Sequence, residues 1–505
     1  MDNYVVEMED IHKSFGKVHA VSGASFNLRK GEIHSLIGEN GAGKSTMMKL
    51  LYGMYPIDSG RIRINQEDLS GCLSPKAAIE HGIGMVHQEF MLVNELTVME
   101  NIILGFEPRR GISIDFKQAR ARIQEYIDRY GLSIEPNKKI TQISVGQAQR
   151  VEIIKTLLRG ATTIILDEPT GVLAPQEVTK LFEILNGLRE AGNSIVFISH
   201  KLNEVLEISD RISVMRDSRY MGTVNGQDTN VEELTKMMIG RNVMLDVERV
   251  PPQTGQVVLR VEGLWAPGDK EKSKLRDVSL QVHSGEIVGI AGVDGNGQSE
   301  LAEAIAGLRT AEKGKIEIAG QEVTKLSPKK RRDKGLAHIP EDRNVLGLNR
   351  SASTEINMAV IDLDKKPFHG PGGAVNKKAI RENALTLIKE FDVRPANPET
   401  LTSALSGGNA QKVVVARELA QGKRFLIAAQ PTRGIDVGAI ELIRNYLVEE
   451  KKKGTGGLLI STELEEVMTL SDRILVMYEG KIAGELDGAK ATELELGRLM
   501  LGGGE

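Results

Sequence analysis

The 505-residue chain holds a single cysteine, Cys72. A lone cysteine cannot close an internal disulfide, and zinc motifs built on cysteine pairs are excluded. Aromatic residues make up only 4%, too few for the stacking platforms that hold single-stranded nucleic acid. Basic residues do not predominate: 65 Lys and Arg face 69 Asp and Glu, a formal charge of −4. No broad basic face therefore points to nucleic acid as a partner. No apolar run reaches about 18 residues, the length a membrane-spanning helix needs. The opening MDNYVVEMED has neither the basic cluster nor the apolar core of a secretory leader. These absences fit a reducing compartment and a chain with no span of its own. Work at a membrane would then fall to a partner. What the chain does have is glycine, 53 residues, above the usual share of roughly 7%. The length admits about three average domains, each able to bury a core without crosslinks.

A self-comparison shows an internal repeat. EIHSLIGENGAGKST at 32–46 matches EIVGIAGVDGNGQSE at 286–300, with Gly38 and Gly292 254 residues apart. ISVGQAQRVEI at 143–153 matches LSGGNAQKVVV at 405–415, IILDEPTG at 164–171 matches LIAAQPTRG at 426–434, and FISHKLNEV at 197–205 matches LISTELEEV at 459–467, all 262 apart. Collinear matches at a near-constant offset mean a tandem duplication. The Gly/Pro-rich PFHGPGGA at 367–374 is the expected place for the eight extra residues. ERVPPQTG, with Pro251 and Pro252, cannot sustain a helix and reads as a linker. The expected domains are 1–245 and 258–505, joined by 246–257.

Within each half, short β-branched runs such as Thr162–Asp167 and Ser194–Ser199 read as strands buried on both faces. Between about 95 and 145 the pattern turns helical. Phe116, Ala119, Ile123, Ile127 and Tyr130 form one stripe that stops at Gly131. The fold class is α/β.

Gly38-Glu39-Asn40-Gly41-Ala42-Gly43-Lys44-Ser45 fits the pattern G-x-x-x-x-G-K-[ST], after an apolar strand and before the helix pattern TMMKLLYGM. Glycines let backbone N–H groups close around phosphate oxygens, and the helix N-terminus adds positive potential. In this pattern the lysine reaches the β and γ phosphates and the serine ligates Mg²⁺. Thr46 continues the turn. In the second half Gly292 and Gly297 persist, but Gln298 replaces the lysine before Ser299. One lost charge pair is worth about 4 kcal/mol at 4 Å and an effective dielectric of 20. Nucleotide binding at this loop is expected to be weaker or absent.

An acid at the end of a buried strand is costly unless it has a task. Beside a phosphate loop, Asp167 can orient Mg²⁺ and Glu168 can act as base toward the attacking water. The second half has Ala429 and Gln430 there. Gln430 can hydrogen-bond a water but cannot take its proton, so hydrolysis is expected only in the first half.

With these residues in view, the whole chain resembles an ATP-binding cassette ATPase with two fused nucleotide-binding domains. The diagnostic elements are Leu405-Ser406-Gly407-Gly408-Asn409 and Ile143-Ser144-Val145-Gly146-Gln147. The resemblance implies an α/β phosphate-loop core with a helical and an antiparallel β subdomain in each half. It implies head-to-tail pairing, each ATP lying between one half's phosphate loop and the other's signature. One site then joins Lys44, Ser45, Asp167, Glu168 and His200 to Ser406, Gly407 and Gly408. The other joins Gln298, Ser299, Gln430 and Thr462 to Ser144 and Gly146, with Val145 where glycine is usual. The resemblance gives Gln88 to Mg²⁺ and the γ-phosphate, with Glu341 as its counterpart, His200 to the γ-phosphate, and Phe15 to adenine. Asp436 matches an acid after the second strand end, where the first half has Ala174.

PTRGIDVGA resembles the importer ATPases for ribose, galactose and xylose. AAQPTRGIDVGAIE, the SVG signature and HQEFMLV are closer to the nucleoside-importer subgroup, which ranks first here. That resemblance implies ATP and Mg²⁺, two integral-membrane permeases, an extracytoplasmic substrate-binding lipoprotein, and a peripheral place at the cytoplasmic face of the membrane. A ribosome-associated ATPase of the same superfamily fits less well, because those carry a long charged linker and two intact sites. A catalytically dead scaffold is opposed by Lys44, Asp167, Glu168 and His200.

Overall fold

Apolar runs of four to six residues, too short for helices, pair side by side in each half of the chain. The computed structural model describes residues 4–16, 18–39, 41–88, 90–171, 173–240, 249–252, 254–369, 374–420, 422–435 and 437–502. It divides into two units, Met1–Val243 and Met244–Glu505.

In the first unit a six-stranded sheet runs Arg219–Asn225, Arg211–Arg216, Ile33–Gly38, Ser194–Ile198, Thr163–Asp167, Ile83–Val86 among the described residues. All neighbours are parallel except the Arg211–Arg216/Arg219–Asn225 hairpin at one edge. Every residue of Ile33–Gly38, Thr163–Asp167 and Ser194–Ile198 is buried. Continuous apolar strands of this kind require cover on both faces. A second sheet is antiparallel and pairs Val18–Arg29, Tyr4–Phe15, Ser59–Ile64 and Glu67–Asp68. The second unit repeats both sheets in the same order, with Leu336–Ile339, Phe425–Ala429, Gly456–Ile460, Ile287–Ala291, Arg473–Tyr478 and Lys481–Asp487 in the larger one.

The helical insert of the first unit comprises Val98–Ile103, Phe116–Tyr130 and the start of Val145–Leu158. Asp115 caps Phe116–Tyr130 by accepting from Gln118 N, and Gly131 ends it at φ 65°. Ala119 and Ile123 are buried, whereas Phe116 on the same stripe stays 45% exposed. A two-stranded ribbon, Arg109–Arg110 with Ser113–Ile114, interrupts the segment expected to be helical. Eleven residues lie between Ile103 and Asp115, but sixteen between Ala359 and Asn376. Extra length thus falls in the stretch that contains 367–374, of which 370–373 lie outside the described residues. Of the expected linker, 246–248 and 253 lie outside them too. The rest holds to the second unit: Arg249 donates to Ser471 O (2.8 Å) and Lys451 to Val250 O (2.5 Å).

The central strand of the first unit is anchored where it begins. Glu32, buried, accepts from both Arg211 Nε (3.0 Å) and Nη2 (2.7 Å), and from Arg29 N. Burial pushes the Glu32 carboxyl up, but these bonds and His34 win and bring it down to about 2. Glu286 and Arg473 repeat the pair in the second unit (2.6 Å). A carboxyl depressed on folding adds stability that is complete above its ordinary value of 4.5 and is lost as pH falls toward about 2. Glu32→Gln should therefore cost the first unit about 2–3 kcal/mol near neutral pH. The gap from wild type, measured by urea unfolding, should narrow as pH drops through 4; a gap that widens there contradicts the account.

Candidate functional site

The parallel strands of the first unit all point their carboxyl ends at one place, the usual position for ligands of an open α/β sheet. Ile33–Gly38 leads into the loop 38–43, and Lys44–Leu51 follows as a helix. Gly43 caps that helix at φ 96°, where a Cβ would strike the Ala20 carbonyl oxygen, so only glycine fits. Lys44 is 5% exposed. Its ammonium donates to Gly38 O (2.8 Å) and Glu39 O (3.1 Å). Burial pushes its pKa down, opposed by the charges of Glu168 and Asp167.

Asp167 is the last residue of its strand and is buried. Ser45 Oγ donates to its Oδ1 (3.1 Å). Burial holds the Asp167 carboxyl above its ordinary range, and the neighbouring Glu168 adds to this. The next residue, Glu168, turns the chain in the left-handed region (φ 48°) while its N–H donates to Ile198 O (3.0 Å). Its carboxylate receives His200 Nδ1–H (3.2 Å) on one oxygen and Gln88 Nε2–H (3.3 Å) on the other. Burial raises the Glu168 carboxyl, but the bond and charge of His200, with Lys44 and Lys201, bring it below its ordinary value. Two hard oxygen donors, Ser45 Oγ and Asp167, share one spot beside Lys44 and suit a small divalent cation. Gly41 and Thr46 flank the loop; Asn40 lies outside the described residues. Phe15, 43% exposed, meets the edge of Tyr55 at 5.2 Å between ring centres. Among the expected residues, Lys44, Ser45, Gln88, Asp167, Glu168 and His200 therefore come together within one unit.

The second unit keeps the scaffold and changes the groups. Gln430 has the same φ of 48°, and its N–H donates to Ile460 O (2.7 Å). Its side chain accepts from Thr462 Oγ1 and N (both 3.2 Å). Gln298 donates to Val293 O (3.1 Å) and accepts from Asn296 N (3.1 Å). Gly297 caps the following helix at φ 109°, and Gly292 leaves room for the Gln298 amide. Ser299 Oγ bonds Glu341 Oε2 (2.5 Å), and Glu341 pairs with Arg433 (2.7 Å). Asp436 lies outside the described residues.

Both signatures open helices. Ser406 caps Gly407–Leu419, accepting from Asn409 N (3.4 Å) and Asn409 Nδ2 (2.9 Å), and Gly408 is buried behind it. Ser144 caps Val145–Leu158 and donates to Glu177 Oε1 (3.2 Å); that carboxylate lies close against Gly146, where a Cβ would have to push it aside. Glu177, Arg433 and Tyr55 were not singled out by the motifs. The repeat itself carried the signal for two of them: Glu177 stands where the second half has Ala439, and Arg433 where the first has Gly171.

A family model described as ABC transporter matches residues 21–171 and 275–433. The guanosine import ATP-binding protein NupO of Bacillus subtilis (strain 168) is 46% identical over 499 residues, 99% of this chain and 98% of its own. The nucleoside import ATP-binding protein NupA of Lactococcus lactis subsp. cremoris (strain MG1363) is 44% identical over the same share of both chains. The glucose import ATP-binding protein TsgD13 of Haloferax volcanii is 43% identical over 532 residues, 99% of this chain and 96% of its own.

Two forces oppose each other at Glu168, burial raising its pKa and His200 lowering it. In the nucleotide-free protein, His200→Ala should move the Glu168 titration upward, read from the carboxyl carbon shift in glutamate-labelled protein. A downward or absent shift contradicts this balance.

Proposed function

Because this chain belongs to the ABC transporter family, we propose that it is the ATP-hydrolysing subunit of a membrane importer for nucleosides, with hydrolysis confined to the first unit. The observation that carries the proposal is the asymmetry between matching positions. Lys44, Asp167, Glu168 and His200 in one unit stand against Gln298, Ala429, Gln430 and Thr462 in the other.

The chemistry follows from the groups in place. Lys44 exchanges the Gly38 and Glu39 carbonyls for the β and γ phosphates, and the loop's N–H groups take the remaining oxygens. Ser45, Asp167 and Gln88 would hold Mg²⁺, which draws charge from the γ-phosphate. Glu168, kept ionised by His200, takes the proton of the attacking water as its oxygen bonds the γ-phosphorus and the bond to the β–γ bridging oxygen breaks. His200 then bridges Glu168 and the γ-phosphate. Phe15 offers a face to adenine. Ser406, Gly407 and Gly408, at a helix N-terminus, close on the same γ-phosphate when the halves pair. ATP binds that paired state better, and its hydrolysis releases it, which gives the population shift that permeases can use.

Among the described residues no helix is long and apolar enough to cross a membrane. The proposed setting is therefore peripheral, at the cytoplasmic face, against two integral-membrane permeases served by an extracytoplasmic substrate-binding lipoprotein. Nucleosides lead because two full-length relatives at 46% and 44% identity are named for nucleoside or guanosine import. A simple sugar is the second reading, favoured by the glucose-import relative at 43%.

Co-purification in mild detergent should recover two polytopic proteins and a binding lipoprotein. Vesicles carrying that complex should take up labelled guanosine and leave labelled ribose outside. Glu168→Gln should reduce both ATP turnover and uptake by about 100-fold or more, the usual weight of a general base. Ribose uptake without guanosine uptake would replace the first reading with the second, and recovery of ribosomal proteins alone would sink both.

A further inference from the structure

We infer that the second unit takes up no Mg-nucleotide, because its own side chains already occupy the positions where phosphate and metal would bind. This rests on the proposed pairing of each phosphate loop with the other half's signature. Three observations carry it, each confined to one unit.

The first is the loop 292–298. Gln298 Nε2 donates to the Val293 carbonyl, much as Lys44 does to its own loop. Unlike a lysine, it also accepts, and it takes the N–H of Asn296 (3.1 Å). Asn296 in turn accepts from Glu479 N through its side chain (2.8 Å) and from Gly480 N through its carbonyl (2.9 Å). The loop is stapled from within by a side chain, whereas the matching N–H of the first unit, that of Ala42, bonds the Glu39 carbonyl of its own loop (3.0 Å).

The second is the metal position. Ser45 of the first unit faces Asp167, a buried carboxylate that carries the Ser45 bond and no ion pair among the described residues. Ser299 faces Glu341, whose second oxygen is held by Arg433. Ala429, at the strand end, has no donor to replace Asp167. Arg433 thus neutralises Glu341 internally, where Mg²⁺ would otherwise be needed. The adenine side has changed too. Residues 267–274 stand where the first unit has 14–20 with Phe15; this segment contains no aromatic residue, and its Asp269 is tied to Arg309 (2.9 Å).

The third lies in the first unit's signature. Glu177 Oε1 accepts from Ser144 Oγ, and that carboxylate lies close against Gly146. A γ-phosphate would seek the same serine. The second unit's signature has Ala439 in the matching place, and there Ser406 meets the neutral amide of Asn409. A built-in anion therefore sits on the signature serine in one case and not in the other.

The test is a stoichiometry. The full chain is titrated with the magnesium complex of a β,γ-imido ATP analogue by calorimetry, and bound metal is counted in parallel with Mn²⁺ in place of Mg²⁺. One equivalent of each per chain is expected, falling to none in Lys44→Ala. Two equivalents in wild type, or one retained in Lys44→Ala, overturns the inference and leaves the hydrolytic reading of the first unit intact. No binding in wild type overturns that hydrolytic reading itself. If Lys44→Ala fails to fold, Lys44→Gln, the side chain the second unit carries at this place, takes its part with the same outcomes.

Discussion

The first unit depends on a buried carboxylate, Asp167, that has no ion pair among the described residues and is favoured only at a distance by the charges of Lys49 and Lys44. Asp167 sits at the end of an all-buried strand, holds one hydrogen bond from Ser45, and is pushed toward its protonated form by burial. The effective penalty for burying an ion is several kcal/mol. The proposed Mg²⁺ would relieve this, with the hydroxyl of Ser45 beside Asp167 to share its ligands. Lys44 is in the mirror situation, its ammonium buried on backbone carbonyls until phosphate arrives. Each of the two charges makes sense only in company.

The same constraint explains why the second unit lost both together. With Gln298 in place of the lysine, an aspartate at 429 would be a buried charge with one partner fewer. Lys44 and Asp167 each ease the other's burial through charge alone, and two coupled buried charges are less costly to remove together than one at a time. Ala429 and Gln298 are the consistent pair of changes. The turn that follows behaves differently. Glu168 and Gln430 share a left-handed φ of 48° and the same backbone bond to the neighbouring strand. The strained turn thus belongs to the scaffold, and the carboxylate was added to it or removed from it without moving the backbone.

Much of this was legible in the chain. The repeat, the loop 38–45, the strand ending in Asp167 and the helix 116–130 all leave local patterns of spacing or burial. Phe116 shows the limit, since its place on the stripe says nothing of how far the first turn overhangs its neighbours. Residues brought in from distant elements were harder still. Glu177 reaches Ser144 across 33 positions and Arg433 reaches Glu341 across 92. No local pattern announces such pairs; only comparing the halves marks 177 and 433 as places where they differ. The ribbon at 109–114 was missed because two-residue strands are too short to show alternation.

The central claim is that catalysis resides in the first unit and needs its buried lysine. Lys44→Gln, the residue found at the matching place in the second unit, puts it to the test through steady-state ATP turnover of the full chain. The account predicts a loss of about 100-fold or more, in line with removing a preorganised charge from a transition state. Turnover retained within about threefold would contradict it and return the chemistry to the second unit.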